Sequence, residues 1–346
     1  MRAYRMFADG SSGLTEIASP VPTAGQVRLE VLAAGICQSD LHVIDAAGTG
    51  PATAWPTPYT LGHEICGRVA ELGPGTTGVH VGDQVIVHSP WGCGQCPRCA
   101  AGRPNYCDRP DPNAAGIGLG VNGGLADEVV VEAGRLVPAD GLDPALAATL
   151  ADAGLTSYHA ISGCRDALAE PDAIALVIGV GGLGHLAISV LTATSNAHVI
   201  AVDVRADARE LALTCGAATA CAPDEVHGAL HGRRADVVLD FVGSDATMAL
   251  AARSLRRSGE IVVIGSAGGT LPVAKGAALP PGARVHLPFW GALDELVEVV
   301  ALAREHGLRA ETTTYPLDDA DRALDDLRHG RVLGRAVVLP QRSPKP

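Results

Sequence analysis

The sequence predicts an α/β protein in two parts: a β-rich region over residues 1 to about 150, then a doubly wound parallel sheet from about 151. Three observations predict it. The first part is made of short apolar-alternating runs bounded by Gly and Pro. The second alternates short apolar strands with helical runs, the pattern of a parallel sheet with right-handed crossovers. Between strand and helix at 179–184 stands the glycine-rich run G-V-G-G-L-G. A length of 346 residues accommodates two domains.

In the first part the strands are Val27–Leu32, Gly67–Leu72 and Asp83–Val87, separated by turn signals G-P-G at 73–75 and V-G-D at 81–83. In the second, Ala173–Ile178 is a strand, Gly184–Ser195 a helix, and His198–Val202 the next strand, ending in Asp203. Arg209–Cys215 is helical, and Val237–Asp240 and Ile261–Ile264 are buried strands. A helix over Leu293–Glu305 then leads to a last strand, Ala336–Leu339.

Hydrophobic residues make up 47% of the chain and charged residues 18%, the balance of a packed protein. A formal net charge of −12 argues against nucleic acid or an anionic membrane as partner. Any phosphate-bearing ligand must therefore be held by helix N-termini or single arginines. Met1–Gly13 has no apolar core of the kind a secretory signal needs. The longest apolar stretch, Ala173–Ala193, is interrupted by four glycines and His185, so it reads as strand plus helix and not as a membrane span. The nine cysteines are then expected in a reducing cytoplasm, where clustered thiols favour metal over disulfide.

Gly179, Gly181 and Gly184 form G-x-G-x-x-G directly after a strand and at the start of a helix. The first glycine permits the tight turn, the second lets the backbone approach a pyrophosphate, and the third lets helix and strand pack closely. The helix N-terminus, with Gly182 and Leu183 in the same loop, attracts the anion. The motif in this context predicts a Rossmann dinucleotide site. Asp203 closes the next strand at about 20 residues' distance, where a carboxylate binds ribose hydroxyls and repels a 2′-phosphate, favouring NAD over NADP. Arg205 stands close enough to temper that preference.

Cys93, Cys96, Cys99 and Cys107 lie within fifteen residues. Cys-x-x-Cys spacing holds sulfurs close enough to share one tetrahedral zinc, and Gly, Pro and Arg between them describe an exposed lobe. The expectation is a structural zinc.

Taken together, C-Q-S-D-L-H at 37–42, L-G-H-E at 61–64 running on to G-D-Q-V at 82–85, the four-cysteine lobe, D-A-G-L-T at 152–156 and G-V-G-G-L-G resemble the zinc-dependent medium-chain alcohol dehydrogenase family. P-W-G-C-G at 90–94 and P-F-W-G at 288–291 resemble its bacterial branch for secondary alcohols and ketones. The resemblance covers essentially the whole chain. It implies a GroES-like β-rich catalytic domain built from 1–150 and 290–346, with a Rossmann NAD-binding domain over 151–289. It implies a catalytic zinc on Cys37, His63 and Asp152, with the fourth position open to substrate. Many members have Cys where this chain has Asp152, so the ligand set here is harder. Glu64 is implied behind the metal or as an exchanging ligand, and Asp40 is a candidate partner for His63.

The implied reaction is the reversible oxidation of an alcohol to a ketone or aldehyde, by hydride transfer from a zinc-activated alcohol to NAD. Ser39 is expected to accept the proton and His42 to pass it to solvent. By the same resemblance Thr156 packs on the nicotinamide, Arg335 reaches the pyrophosphate, and Trp55, Trp91 and Trp290 wall a broad apolar pocket for secondary or aryl alcohols. Two zincs per subunit and a homodimer or homotetramer complete the expectation. The alternatives are a polyol, amino-alcohol or formaldehyde dehydrogenase of the same superfamily, and an NAD-binding protein without catalysis.

Overall fold

The computed structural model describes residues 1–46 and 55–340. The chain forms two compact units and passes from one to the other four times, twice within a helix, at 155/156 and at 301/302. One unit takes in Met1–Leu155, Gly291–Ala301 and the chain from Thr312; the other takes in Thr156–Trp290 and Leu302–Glu311.

The first unit is built on a seven-stranded sheet. Its path runs Leu136–Pro138, Gln84–Val87, Glu64–Leu72, Gln26–Ile36, Arg335–Leu339 and Thr312–Pro316, with Glu128–Glu132 also paired to Gln26–Ile36. The strand Gln26–Ile36 alternates half-buried and buried residues at its start and becomes wholly buried over its last four. That change marks where it leaves the surface and enters the interior of the unit. It is the hub: Gly35 pairs with Glu64 on one side and Val337 on the other. The C-terminal strand Arg335–Leu339 is thereby central in this sheet. A smaller sheet joins Ser12–Glu16, Arg2–Met6 and Tyr59–Thr60.

The second unit holds a six-stranded, wholly parallel sheet. Its order is Thr219–Cys221, His198–Val202, Ile174–Ile178, Ala235–Asp240, Leu255–Val263 and Arg284–His286. Numbered along the chain this is 3-2-1-4-5-6, the order of doubly wound dinucleotide-binding domains. The apolar stretch near 173–193 resolves into the buried strand Ile174–Ile178 and the helix Gly184–Thr194. Every residue of Ile174–Ile178 is buried, as a central parallel strand requires, and each large side chain contributes about 1.5–3 kcal/mol of apolar burial.

Among the described residues no helix is long and apolar enough to cross a membrane.

Candidate active site

Among the described residues, three groups of Cys, His, Asp or Glu bring their ligand atoms within 4.8 Å of one another. The first is Cys37, His63 and Asp152, all buried. Cys37 immediately follows the hub strand and caps the helix Gln38–Asp45; His63 immediately precedes the strand Glu64–Leu72. Asp152 lies in a π-helical turn, Leu150–Gly154. A π turn widens the helix and opens its hydrogen-bond ladder, a distortion common at functional sites. Here the cause is visible: the N–H of Ala153 donates to Glu64 Oε1 at 3.0 Å.

Asp152 Oδ2 lies 3.6 Å from Cys37 Sγ and 3.6 Å from His63 Nε2. On its far side, His63 Nδ1 faces Asp40 Oδ1 at 3.5 Å, while Asp40 Oδ2 accepts the Cys37 N–H at 2.8 Å. One carboxylate thus orients two of the three ligand residues, leaving Nε2 turned to the cluster. Ser89 Oγ donates to the His63 carbonyl at 2.6 Å and fixes its backbone.

Charge decides what this cluster accepts. Asp40, Glu64 and Asp152 are buried around the Cys37 thiol, and Arg335 is the guanidinium set among them. Burial raises the Glu64 carboxyl even though Arg335 draws it down. Burial also works against a charged His63, yet Asp40, Asp152 and Cys37 hold its pKa well above the usual value. The His63 shift reports the negative charge gathered around it. A divalent cation at the convergence of Sγ, Nε2 and Oδ2 would offset that charge, and the S/N/O donor set suits zinc.

Arg335, expected at a pyrophosphate, is engaged by buried carboxylates. It is 3% exposed, and it donates from Nε and Nη2 to Glu64 at 2.8 and 2.6 Å and from Nη2 to Asp152 at 3.3 Å. The buried carboxylates claim it. Gly35 provides the room: a Cβ there would lie 1.8 Å from Glu64 Oε2. Neither fact was readable from motifs. Gly35 has no signature, and Arg335 is separated from Glu64 by 271 residues.

Ser39 is brought to the cluster, its Oγ 3.6 Å from Cys37 Sγ. His42, one turn further along the same helix, is exposed. The tryptophans pack against different partners: Trp55 edge-on to Tyr59 at 6.2 Å, Trp91 beneath the Arg135 guanidinium at 4.5 Å, and Trp290 edge-on to Phe289 at 5.7 Å.

The second group is Cys93, Cys96, Cys99 and Cys107. Cys96 and Cys107 sulfurs are 3.8 Å apart. Backbone N–H groups point at the sulfurs: Cys96 N to Cys93, Cys99 N to Cys96, and both Cys93 N and Arg109 N to Cys107, at 3.3–3.4 Å. Such donors stabilise thiolates, and those from Gln95 and Cys96 lower the Cys93 pKa. Four sulfurs without a free position make a closed site.

In the second unit, Gly179 has φ +89° and a Cβ on Gly184 would lie 1.9 Å from the Gly179 carbonyl oxygen. A Cβ on Gly181 would meet nothing within 4 Å, so the backbone there is open to a ligand. The loop, with Gly182 and Leu183 half-buried, lies at the switch point between the first and fourth strands, where such sheets bind dinucleotides. Asp203 is half-buried beside it, accepting from Val180 N at 2.8 Å and Arg205 N at 2.9 Å. Thr156 is buried.

The comparisons with known proteins agree with this geometry. The alcohol dehydrogenase GroES-like domain matches residues 23–141, and the zinc-binding dehydrogenase domain matches residues 182–305. An NAD-dependent alcohol dehydrogenase of Sulfolobus acidocaldarius is 33% identical over 341 residues, covering 94% of this chain and 95% of the relative. The crystal structure of the alcohol dehydrogenase from Aeropyrum pernix superposes with a TM-score of 0.87 at 30% identity, over 98% of this chain and 100% of that one. Acetophenone reductase from Geotrichum candidum, solved with NAD, superposes at 0.83 with 27% identity, over 98% and 97%. The chain belongs to the zinc-dependent medium-chain alcohol dehydrogenase family and is an oxidoreductase that works with NAD.

Proposed function

We propose that this enzyme interconverts secondary, apolar or aryl alcohols and their ketones, using a catalytic zinc on Cys37, His63 and Asp152 and a structural zinc on the four cysteines. The observation that carries the reading is the convergence of one sulfur, one nitrogen and one oxygen donor in a buried, anion-rich cluster with Ser39 beside it. The likeness to an acetophenone reductase and the tryptophans at 55, 91 and 290 support the substrate class.

When bound, zinc supplies a Lewis acid that makes an alcohol acidic near neutral pH, and NAD supplies the hydride acceptor. The chain's own groups do the rest. Asp40 holds His63 with Nε2 forward and the Cys37 backbone in place. Glu64 holds the π turn through the Ala153 N–H and, with Arg335, fixes Asp152. Ser39 Oγ takes the alcohol proton and His42 delivers it to solvent. Gly179, Gly181 and Gly184 admit the pyrophosphate, Asp203 accepts from the ribose hydroxyls, and Thr156 packs on the nicotinamide. Trp55, Trp91 and Trp290 wall the pocket. Assembly as a homodimer or homotetramer in a reducing cytoplasm belongs to the same proposal, and nine unpaired cysteines support the compartment.

The test is the initial rate of NAD reduction with ethanol, 2-propanol, 2-octanol, 1-phenylethanol and sorbitol, before and after a chelator. The reading requires the secondary alcohols to be fastest and the rate to fall with zinc. Undiminished activity after zinc is stripped, or preference for sorbitol, would sink it.

A further inference from the structure

A third group of ligand atoms lies in the parallel-sheet unit, outside the glycine loop and Asp203. It comprises Cys164 Sγ, Glu260 carboxylate oxygen and His286 Nε2, all within 4.8 Å of one another. Three separate elements contribute. Cys164 caps the short helix Arg165–Leu168, Glu260 lies on the strand Leu255–Val263, and His286 ends the outer strand Arg284–His286. The register pairs Glu260 with Arg284 and Val262 with His286, so Arg284 and His286, two residues apart, share one face beside Glu260.

Ion pairs engage both oxygens of Glu260. Arg284 Nη1 engages Glu260 Oε1 at 2.8 Å. Oε2 lies 2.9 Å from His286 Nε2; both atoms are buried, and this ion pair lacks the geometry of a hydrogen bond. A cation held by both atoms would replace it. Cys164, 1% exposed, brings its sulfur to the same place.

We propose that Cys164, Glu260 and His286 form a third metal site, taking a zinc-class divalent cation with one position left for water. Sulfur, imidazole and carboxylate in one set select a borderline-soft ion, and Arg284 on Oε1 orients the carboxylate so that Oε2 binds singly. His286 is 37% exposed in its side chain, which gives an entry path that the buried Cys164 and Glu260 lack. On loading, the Cys164 S–H bond breaks, an S–metal bond forms, and the proton leaves to solvent. Burial and the neighbouring Glu260 keep the unloaded thiol protonated, so metal must displace that proton. The site shares no residue with either proposed zinc set.

The test is zinc per chain by plasma mass spectrometry, after dialysis of the full-length enzyme against buffered free zinc at mildly alkaline pH. Wild type is compared with His286→Gln and Cys164→Ser. His286→Gln changes a partly exposed residue, and NAD binding checks that each variant is folded. We expect one more zinc equivalent in wild type than in either variant. Equal zinc content in all three proteins would overturn the site.

Discussion

The four-cysteine lobe and the Cys37–His63–Asp152 centre invite comparison because they gather their proposed metal ligands in opposite ways. In the lobe all four ligands lie within fifteen residues, the sulfurs are held by neighbouring backbone N–H groups, and the donor set is closed. At the centre the ligands are 26 and 89 residues apart along the chain (37 to 63, then 63 to 152). They are held by buried carboxylates and one arginine, and the donor set is open. Local assembly gives a staple. Dispersed assembly needs a second layer of charge to position each donor, and that layer makes an open metal position usable.

The largest separation should come from ligand deletion. Cys37→Ala is expected to lower kcat/KM about a thousandfold or more, with thermal stability changed far less, because Lewis-acid stabilisation is worth several kcal/mol. Cys99→Ser should do the reverse: the melting temperature drops while the surviving folded enzyme keeps most of its kcat. Initial rates and calorimetry on both variants read this directly, and equal activity losses would erase the distinction.

Next in size is Arg335→Met. It leaves Glu64 and Asp152 buried without their guanidinium, a loss of about 3–5 kcal/mol in denaturant unfolding. Adding Glu64→Gln should recover part of it. No recovery would mean that Arg335 supports the fold through packing alone.

A smaller effect is expected at Asp40→Asn, which weakens the grip on His63 Nδ1. Metal retention at the dispersed centre should fall about 10- to 100-fold, measured by chelator competition, with the lobe unaffected.

His88 tests the segment that joins the two regions. Burial lowers its pKa from 6.5 to about 4, and its Nε2 lies 3.0 Å from the Gly291 carbonyl oxygen. The folded state therefore binds this proton less readily than the unfolded chain. The associated stability is full above pH 6.5 and is lost as pH falls toward 4, by about 1.4 kcal/mol per unit. His88→Gln should flatten that part of the unfolding profile.

The two regions also differ in how far they could be read from sequence. Cys-x-x-Cys spacing and a glycine loop between strand and helix are local codes, because the geometry they specify is complete within a dozen residues. Cys37, His63 and Asp152 were reached only through resemblance, since their approach depends on sheet pairing over long separations. The Glu64–Arg335 pair carries no local signal for the same reason, its members being 271 residues apart. Strand ends were read short: Val27–Leu32 continues to Ile36 because Ala33, Ala34 and Gly35 lack bulky β-forming side chains yet pair fully within the sheet. Thr312–Pro316 escaped notice because TTTYP carries no apolar alternation; it is ordered by parallel pairing to the C-terminal strand.

The most direct test is anomalous diffraction at the zinc edge from crystals of the active enzyme. A peak bounded by Cys37 Sγ, His63 Nε2 and Asp152 Oδ2, together with one among the four cysteines, is the predicted result. Zinc confined to the cysteine lobe in a fully active enzyme would contradict the account.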